Sequence, residues 1–156
     1  MAVLALGSSY GLQCVTAVLL PANRANRHGP GTDDIALPSL DDSQQLTGLD
    51  KADDIADFYL KLGAPMVALK MSSEGALLAF PDRRIRIAPH RVQSVDATGA
   101  GDTFDGAFLA RLLEGDDPET AARYANVAAA LSTTGYGAVT PIPRKDAVMA
   151  ALKERP

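Results

Sequence analysis

Residues 92–108 gather the chemistry of this chain: Val-Gln-Ser-Val-Asp-Ala-Thr-Gly-Ala-Gly-Asp-Thr-Phe-Asp-Gly-Ala-Phe. Val92 to Val95 read as the end of a strand. Gly99 and Gly101 permit a tight turn at positive φ, which a β-carbon penalises. From Thr103 the pattern becomes helical, with Phe104, Ala107, Phe108 and Leu112 at spacings that share one face. A strand that turns through glycines into a helix leaves backbone N–H groups without intrahelical partners. They point to where the turn opens, and the helix macrodipole adds partial positive charge there. Such a place suits an anion, phosphate above all. Asp102 stands at the same helix start. A carboxylate base beside a phosphate cradle fits phosphoryl transfer to a hydroxyl. From these residues alone, a helix-start carboxylate that merely satisfies backbone donors is the equal alternative.

Two rival phosphate sites are excluded. A dinucleotide-binding turn needs a third glycine for close helix–strand packing, and Phe104 occupies that place. No Gly-x-x-x-x-Gly-Lys-Ser/Thr run exists, which rules out a P-loop. His28 and His90 have no partnered carboxylate pattern and Cys14 has no histidine partner, so none of the three is assigned a role.

The elements that must position the motif are read from periodicity. Residues 34–37 form a short buried strand. Ser39 caps a short helix through Leu46, with Asp41 and Asp42 in its first turn, where carboxylates suit the dipole. A helix starts at Asp50, carries Ile55, Phe58, Tyr59 and Leu62 on one face, and ends at Gly63. Strands come next at 65–69 and 75–80. Residues 83–88 alternate through Arg84, Ile85, Arg86 and Ile87, an edge-strand pattern with the arginines on the solvent face. Asp117 and Pro118 start the helix after the motif helix, as N-cap and first residue. It is Ala-rich through Leu131, and small residues allow close packing. A loop at 133–140 leads to a last helix at 143–153, with Val148, Met149 and Leu152 on its apolar side. Strands alternating with helices predict an α/β layered fold.

Asp96 to Asp102, Asp-Ala-Thr-Gly-Ala-Gly-Asp, resembles the signature of ribokinase-like sugar kinases of the phosphofructokinase B type. Within that family the chain is most similar to 2-keto-3-deoxygluconate kinases. Three stretches carry this narrower match: residues 37–42, 102–109, and 125–126 through 133–138. The resemblance runs over 34–153. It implies a three-layer ribokinase-like fold, of which this chain looks like the incomplete C-terminal, nucleotide-binding half behind an unmatched leader at 1–33. It implies ATP-dependent phosphorylation of a sugar or sugar acid, 2-keto-3-deoxygluconate best of all. Asp102 is then the general base, and Gly99, Ala100 and Gly101 supply the anion hole. Ser39 and Asp42 match by position the family's Asn-x-x-Glu motif, which arranges metal and phosphates. Lys70 either approaches a phosphate as a point charge or is a strand-end lysine in water, and Ser72 stands where the family pattern has glycine. Ser72, Gly75, Asn126 and Ala129 wall the nucleotide. For Asn126, solvent exposure is the alternative. Asp96 and Thr98 resemble positions near a monovalent cation, with turn stabilisation as their other reading. ATP, Mg²⁺ and K⁺ are the implied cofactors, and Asp42, Asp96 and Thr98 the implied metal-side residues. The alternative function is a non-catalytic nucleotide-binding fragment that has lost the sugar site.

Composition is consistent with this reading. At 156 residues one domain is expected, and 47% hydrophobic content suffices for a core. Net charge is −4 with scattered basic residues, which argues against a nucleic-acid partner. Arg24, Arg27 and His28 fall in a loop-like, solvated stretch at 21–31. A single cysteine excludes a disulfide framework and points to a reducing cytoplasm. No apolar run reaches the roughly 18 residues of a membrane helix. A small-molecule substrate is the expected partner, and a homo-oligomer is compatible with the resemblance.

Overall fold

The computed structural model describes residues 16–19 and 34–154. Cys14, the strands expected about Gly7 and Gly11, and the loop with Arg24, Arg27 and His28 lie outside the described residues. In chain order the elements are β1 (Thr16–Leu19), β2 (Asp34–Leu37), α1 (Leu40–Thr47), α2 (Ala52–Lys61), β3 (Met66–Lys70), β4 (Ala76–Ala79), β5 (Arg84–Ile87), α3 (Ala100–Leu113), α4 (Pro118–Ser132) and α5 (Lys145–Lys153). A single 3₁₀ turn covers Ser72–Glu74. The strands make one sheet in the order β1-β2-β3-β4-β5. β1 runs antiparallel to β2, and β2 parallel to β3. This is the α/β class expected from the sequence. The chain divides into two compact units, Met1–Met71 with Leu77–Ile85, and Ser72–Ala76 with Arg86–Pro156.

In the first unit β3 and β4 read as continuous apolar runs and are buried along nearly their whole length. Val67, Ala68 and Leu69 of β3 are fully buried. Ile55 and Tyr59 of α2 pack on Val67, Leu69, Leu77 and Ala79. α1 starts at the expected cap: the Ser39 hydroxyl accepts the Asp42 N–H at 3.2 Å. α2 begins after Lys51, not Asp50. It ends before Leu62, so Leu62 leaves the apolar face and is 70% exposed. β5 is the last strand in the order, the edge position that its alternation implied. Its Arg84 does not simply face water. It is half-buried and pairs with Asp57 of α2.

In the second unit α4 begins as expected, with the Asp117 carboxylate accepting the N–H groups of Glu119 (3.0 Å) and Thr120 (3.1 Å) ahead of Pro118. Ala121, Ala122 and Ala125 are fully buried, which is how the small residues of α4 are used. Val127 and Ala128 pack with Val148 of α5, and Ala107 of α3 joins them. α5 starts at Lys145 rather than Pro143. That start turns Val148 inward and leaves Met149 38% exposed, against the expectation that both share the buried face.

Candidate active site

The second unit holds the glycine motif, and its local structure differs from the expected strand-turn-helix. β5 ends at Ile87, and residues 88–99 are irregular. No strand forms at Val92–Val95. The Val95 N–H is instead taken by the Thr133 carbonyl at 2.7 Å, and the Asp96 N–H by the same oxygen at 3.1 Å. These bonds end on the C-cap of α4, not on a neighbouring strand. α3 starts at Ala100, three residues before the expected helical pattern. Gly99 is its N-cap at φ +77°. Gly101 lies inside the helix, so of the two glycines only Gly99 takes positive φ. The chain reverses once, and one residue suffices. Gly99 is also held by its neighbour: a β-carbon there would stand 2.9 Å from the Ala138 Cβ and 3.0 Å from the Ala138 carbonyl oxygen.

The anion donors shift accordingly. The Ala100 N–H turns back to the Ala97 carbonyl at 3.1 Å, so the expected contribution of Ala100 is withdrawn. The first bond of α3 runs from the Thr103 N–H to the Gly99 carbonyl at 2.9 Å. Helix geometry then leaves the N–H groups of Gly101 and Asp102 without intrahelical partners. Asp102 is exposed in this first turn. It lines an open cleft of about 420 Å³ together with Gly99, Gly106, Tyr124, Ala138 and Lys145.

Asp96 is woven into the same turn. Its Oδ1 accepts the Thr98 N–H at 2.9 Å and the Thr98 hydroxyl at 2.6 Å. Its Oδ2 accepts the Gly137 N–H at 2.8 Å. The Thr98 hydroxyl, then the N–H groups of Gly137 and Thr98, lower the Asp96 carboxyl to about 2. Turn stabilisation is thus observed. A carboxylate offers about four lone-pair sites, and these bonds occupy three of them.

The proposed nucleotide wall is partly rebuilt. Gly75 sits at φ +90°, and a β-carbon there would fall 2.0 Å from the Ile87 carbonyl oxygen. Asn126 is buried, which removes the solvent-exposed alternative. Its Nδ2 donates to the Ala88 carbonyl at 2.8 Å. Ala129, one turn on, is half-buried. Ser72 takes φ +51°, the one non-glycine at positive φ among the described residues. In the first unit Ser39 and Lys70 meet in a single parallel bridge, with the Lys70 N–H on the Pro38 carbonyl at 2.9 Å. The Ser39 hydroxyl donates to Asp42 Oδ2 at 2.6 Å, so Asp42 first of all completes a helix cap. Among the described residues no three or more His, Cys, Asp or Glu side chains gather to hold a metal.

The model of the pfkB family carbohydrate kinases matches residues 13–145. This chain belongs to the pfkB carbohydrate kinase family. As a pfkB-family chain it is 31% identical over 125 residues to a ribokinase of Haemophilus influenzae, covering 77% of this chain and 41% of that protein. The ribokinase of Arabidopsis thaliana, solved with ribose and ATP, superposes with a TM-score of 0.71 at 32% identity, covering 78% of this chain and 41% of that one. The fructokinase of Vibrio cholerae O395, solved with fructose, ADP and a calcium ion, superposes with a TM-score of 0.68 at 32% identity, covering 73% and 39%. A double mutant of that fructokinase was solved with fructose, ADP and a potassium ion. The chain spans about two fifths of the length of these relatives. Its fold is the ribokinase-like α/β fold. The family match reaches back to residue 13, ahead of Asp34, where the recognised motifs begin.

Sequence reasoning missed two residues that shape the start of α3. Thr133 acts through its backbone carbonyl, which no side-chain pattern marks. Ala138 acts by contact with Gly99, and its only signal is its place in the Gly-Tyr-Gly-Ala loop. The positive φ of Ser72, by contrast, accords with the family glycine at its place.

Proposed function

We propose that this chain carries the nucleotide-binding and base-bearing part of an ATP-dependent sugar kinase. The observation that carries the reading is the placement of Asp102: an exposed carboxylate in the first turn of α3, beside the N–H groups that helix geometry leaves at Gly101 and Asp102. In the reaction an acceptor hydroxyl oxygen attacks the γ-phosphorus of ATP. The bond from that phosphorus to the bridging oxygen breaks, and ADP leaves. Asp102 takes the hydroxyl proton as the new P–O bond forms, since a protonated hydroxyl is a poor nucleophile. The α3 N-terminus holds the charge on the transferring group, where fixed donors help most. Gly75, Ser72, Asn126 and Ala129 are assigned to the nucleotide wall, and Lys70 and Ser39 to phosphate binding.

Mg²⁺, when bound, neutralises phosphate charge. It keeps several waters and takes one or two carboxylates, so a single Asp42 oxygen beyond the capping bond fits it. K⁺ fits beside the ionised Asp96 and Thr98. The cytoplasm is the proposed location.

The acceptor proposed first is 2-keto-3-deoxygluconate, supported by the three motif stretches at 37–42, 102–109 and 125–138. The second reading, a neutral pentose or hexose, is favoured by the ribokinase and fructokinase names of the similar proteins. The test is a calorimetric titration with ATP and Mg²⁺, and then ADP release with 2-keto-3-deoxygluconate, ribose and fructose. Saturable binding near one nucleotide per chain and acceptor-dependent ADP support the kinase. Binding without turnover supports the non-catalytic fragment instead. No binding by a folded, monodisperse sample would remove the nucleotide site.

A further inference from the structure

α1 spans eight residues, too few to be stable on its own, so its place is set by what it touches. Its start is fixed to β3 through the backbone: the Lys70 N–H donates to the Pro38 carbonyl, and Ser39 bridges Lys70. Beyond that start its apolar stripe is thin. Leu40 packs partly on the core of the first unit, and Leu46 is 44% exposed. The one buried residue of α1 is a serine, Ser43. Its hydroxyl lies 3.1 Å from the Tyr59 hydroxyl of α2, one donating to the other. Tyr59 is itself held in place. It is buried in the cluster with Val67, Leu69 and Leu77, and the Phe58 ring meets its ring edge-on at 5.4 Å. Ser43 directly follows the half-buried Asp42, and its N–H donates to the Ser39 carbonyl at 3.1 Å. The buried bond therefore grips the first turn of α1, the turn that carries Asp42. A hydroxyl pair adds little net stability over an apolar pair of the same shape. It adds direction, since a hydrogen bond fixes a distance and an angle that apolar contact leaves loose.

We propose that Tyr59 is a positioning residue for Asp42. Through Ser43 it sets the rotation of α1 about its own axis, and so where the Asp42 carboxylate stands. This rests on the assignment of Asp42 to Mg²⁺.

Backbone hydrogen exchange of Tyr59→Phe tests the grip without nucleotide or metal. The amides of residues 43–48 should exchange up to about tenfold faster, as expected for losing one hydrogen bond, while those of β3 keep their protection. On a Ser43→Ala background the same change should have no effect, because the bond is already gone. Unchanged exchange over α1, or an equal effect on both backgrounds, would overturn the proposal. Calorimetric titration with ATP, in Mg²⁺ and in excess EDTA, tests the consequence. The gain in affinity that Mg²⁺ gives the parent should shrink about threefold or more in Tyr59→Phe and in Ser43→Ala, with metal-free ATP binding unchanged. Variants that melt earlier in urea but keep the full Mg²⁺ gain would make the bond a structural one and remove the positioning role. A parent with no Mg²⁺ gain would refute the metal assignment of Asp42 and the positioning role with it. The exchange result tells that failure apart, since it reads the grip on α1 with no metal present.

Discussion

Ala138 packs against Gly99 so closely that the two backbones leave no room for a side chain between them, with the Ala138 Cβ 2.9 Å from where a Gly99 β-carbon would be. The N-cap of α3 is therefore shaped by a loop about 40 residues later in the chain as well as by its own glycine. Gly99→Ala meets two obstacles, a left-handed φ of +77° and this contact. It should lower stability by about 2 kcal/mol or more in urea unfolding. Nucleotide affinity should fall with it, because the donors of the first α3 turn move. A stable Gly99→Ala variant with undiminished ATP binding would show that the turn does not set the anion site.

Asp102→Asn keeps the shape of the first α3 turn and removes the proposed base. Acceptor-dependent ADP production should drop by ~10²–10⁴, while ATP affinity by calorimetry stays close to that of the parent. Equal turnover rates would take Asp102 out of the mechanism.

Ser72 and Gly75 lie on one short turn and should respond oppositely to substitution. Ser72 holds φ +51° with a β-carbon, so Ser72→Gly should raise stability by about 1 kcal/mol. Gly75→Ala drives a β-carbon to 2.0 Å from the Ile87 carbonyl oxygen. It should lower stability by about 3 kcal/mol or more, or prevent folding. Urea midpoints of the two variants against the parent measure both signs.

Acid should undo the Asp96 clasp. The carboxyl is held at about 2 in the folded chain by Thr98 and Gly137. The unfolded chain titrates near the ordinary aspartate value of about 3.9. The folded state therefore prefers the ionised form. Its contribution is complete above roughly pH 5 and is lost as pH falls through about 2. The stability gap between the parent and Asp96→Asn should be constant at neutral pH and narrow as the solution is acidified below about 4. A gap independent of pH in urea melts would show that the charge of Asp96 does not matter to the fold.

The Ser39–Asp42 pair tests capping against metal binding. Ser39→Ala removes the acceptor of the Asp42 N–H and should cost about 1 kcal/mol with or without Mg²⁺. A loss seen only in the presence of Mg²⁺ would assign the pair to the metal alone.

Contiguous chemistry was legible in the order of residues. Ser39 and Asp117 each cap a helix through residues at most three positions away, so their roles come from local sequence. The Asp-Ala-Thr-Gly-Ala-Gly-Asp run marked both the helix start and the carboxylate in its first turn, and a glycine-for-serine comparison anticipated the awkward backbone of Ser72. The alternation of β5 marked an edge. The tertiary structure alone decided which partners those local pieces meet. The Val92–Val95 stretch has strand-forming valines, yet the N–H groups of Val95 and Asp96 go to the end of α4, and among the described residues no strand pairs with the stretch. Asn126 is hidden because its donor finds a carbonyl 38 residues away, and Asp96 reaches across 41 residues to Gly137. Such pairings depend on how α3 and α4 pack, a relation between distant segments that propensity and period do not encode. The sequence by itself determined the family and the class of fold, and it named the residues proposed to do chemistry. The tertiary structure decided which glycine turns the chain, which amides are left for an anion, and which side chains are spent on holding the site in place.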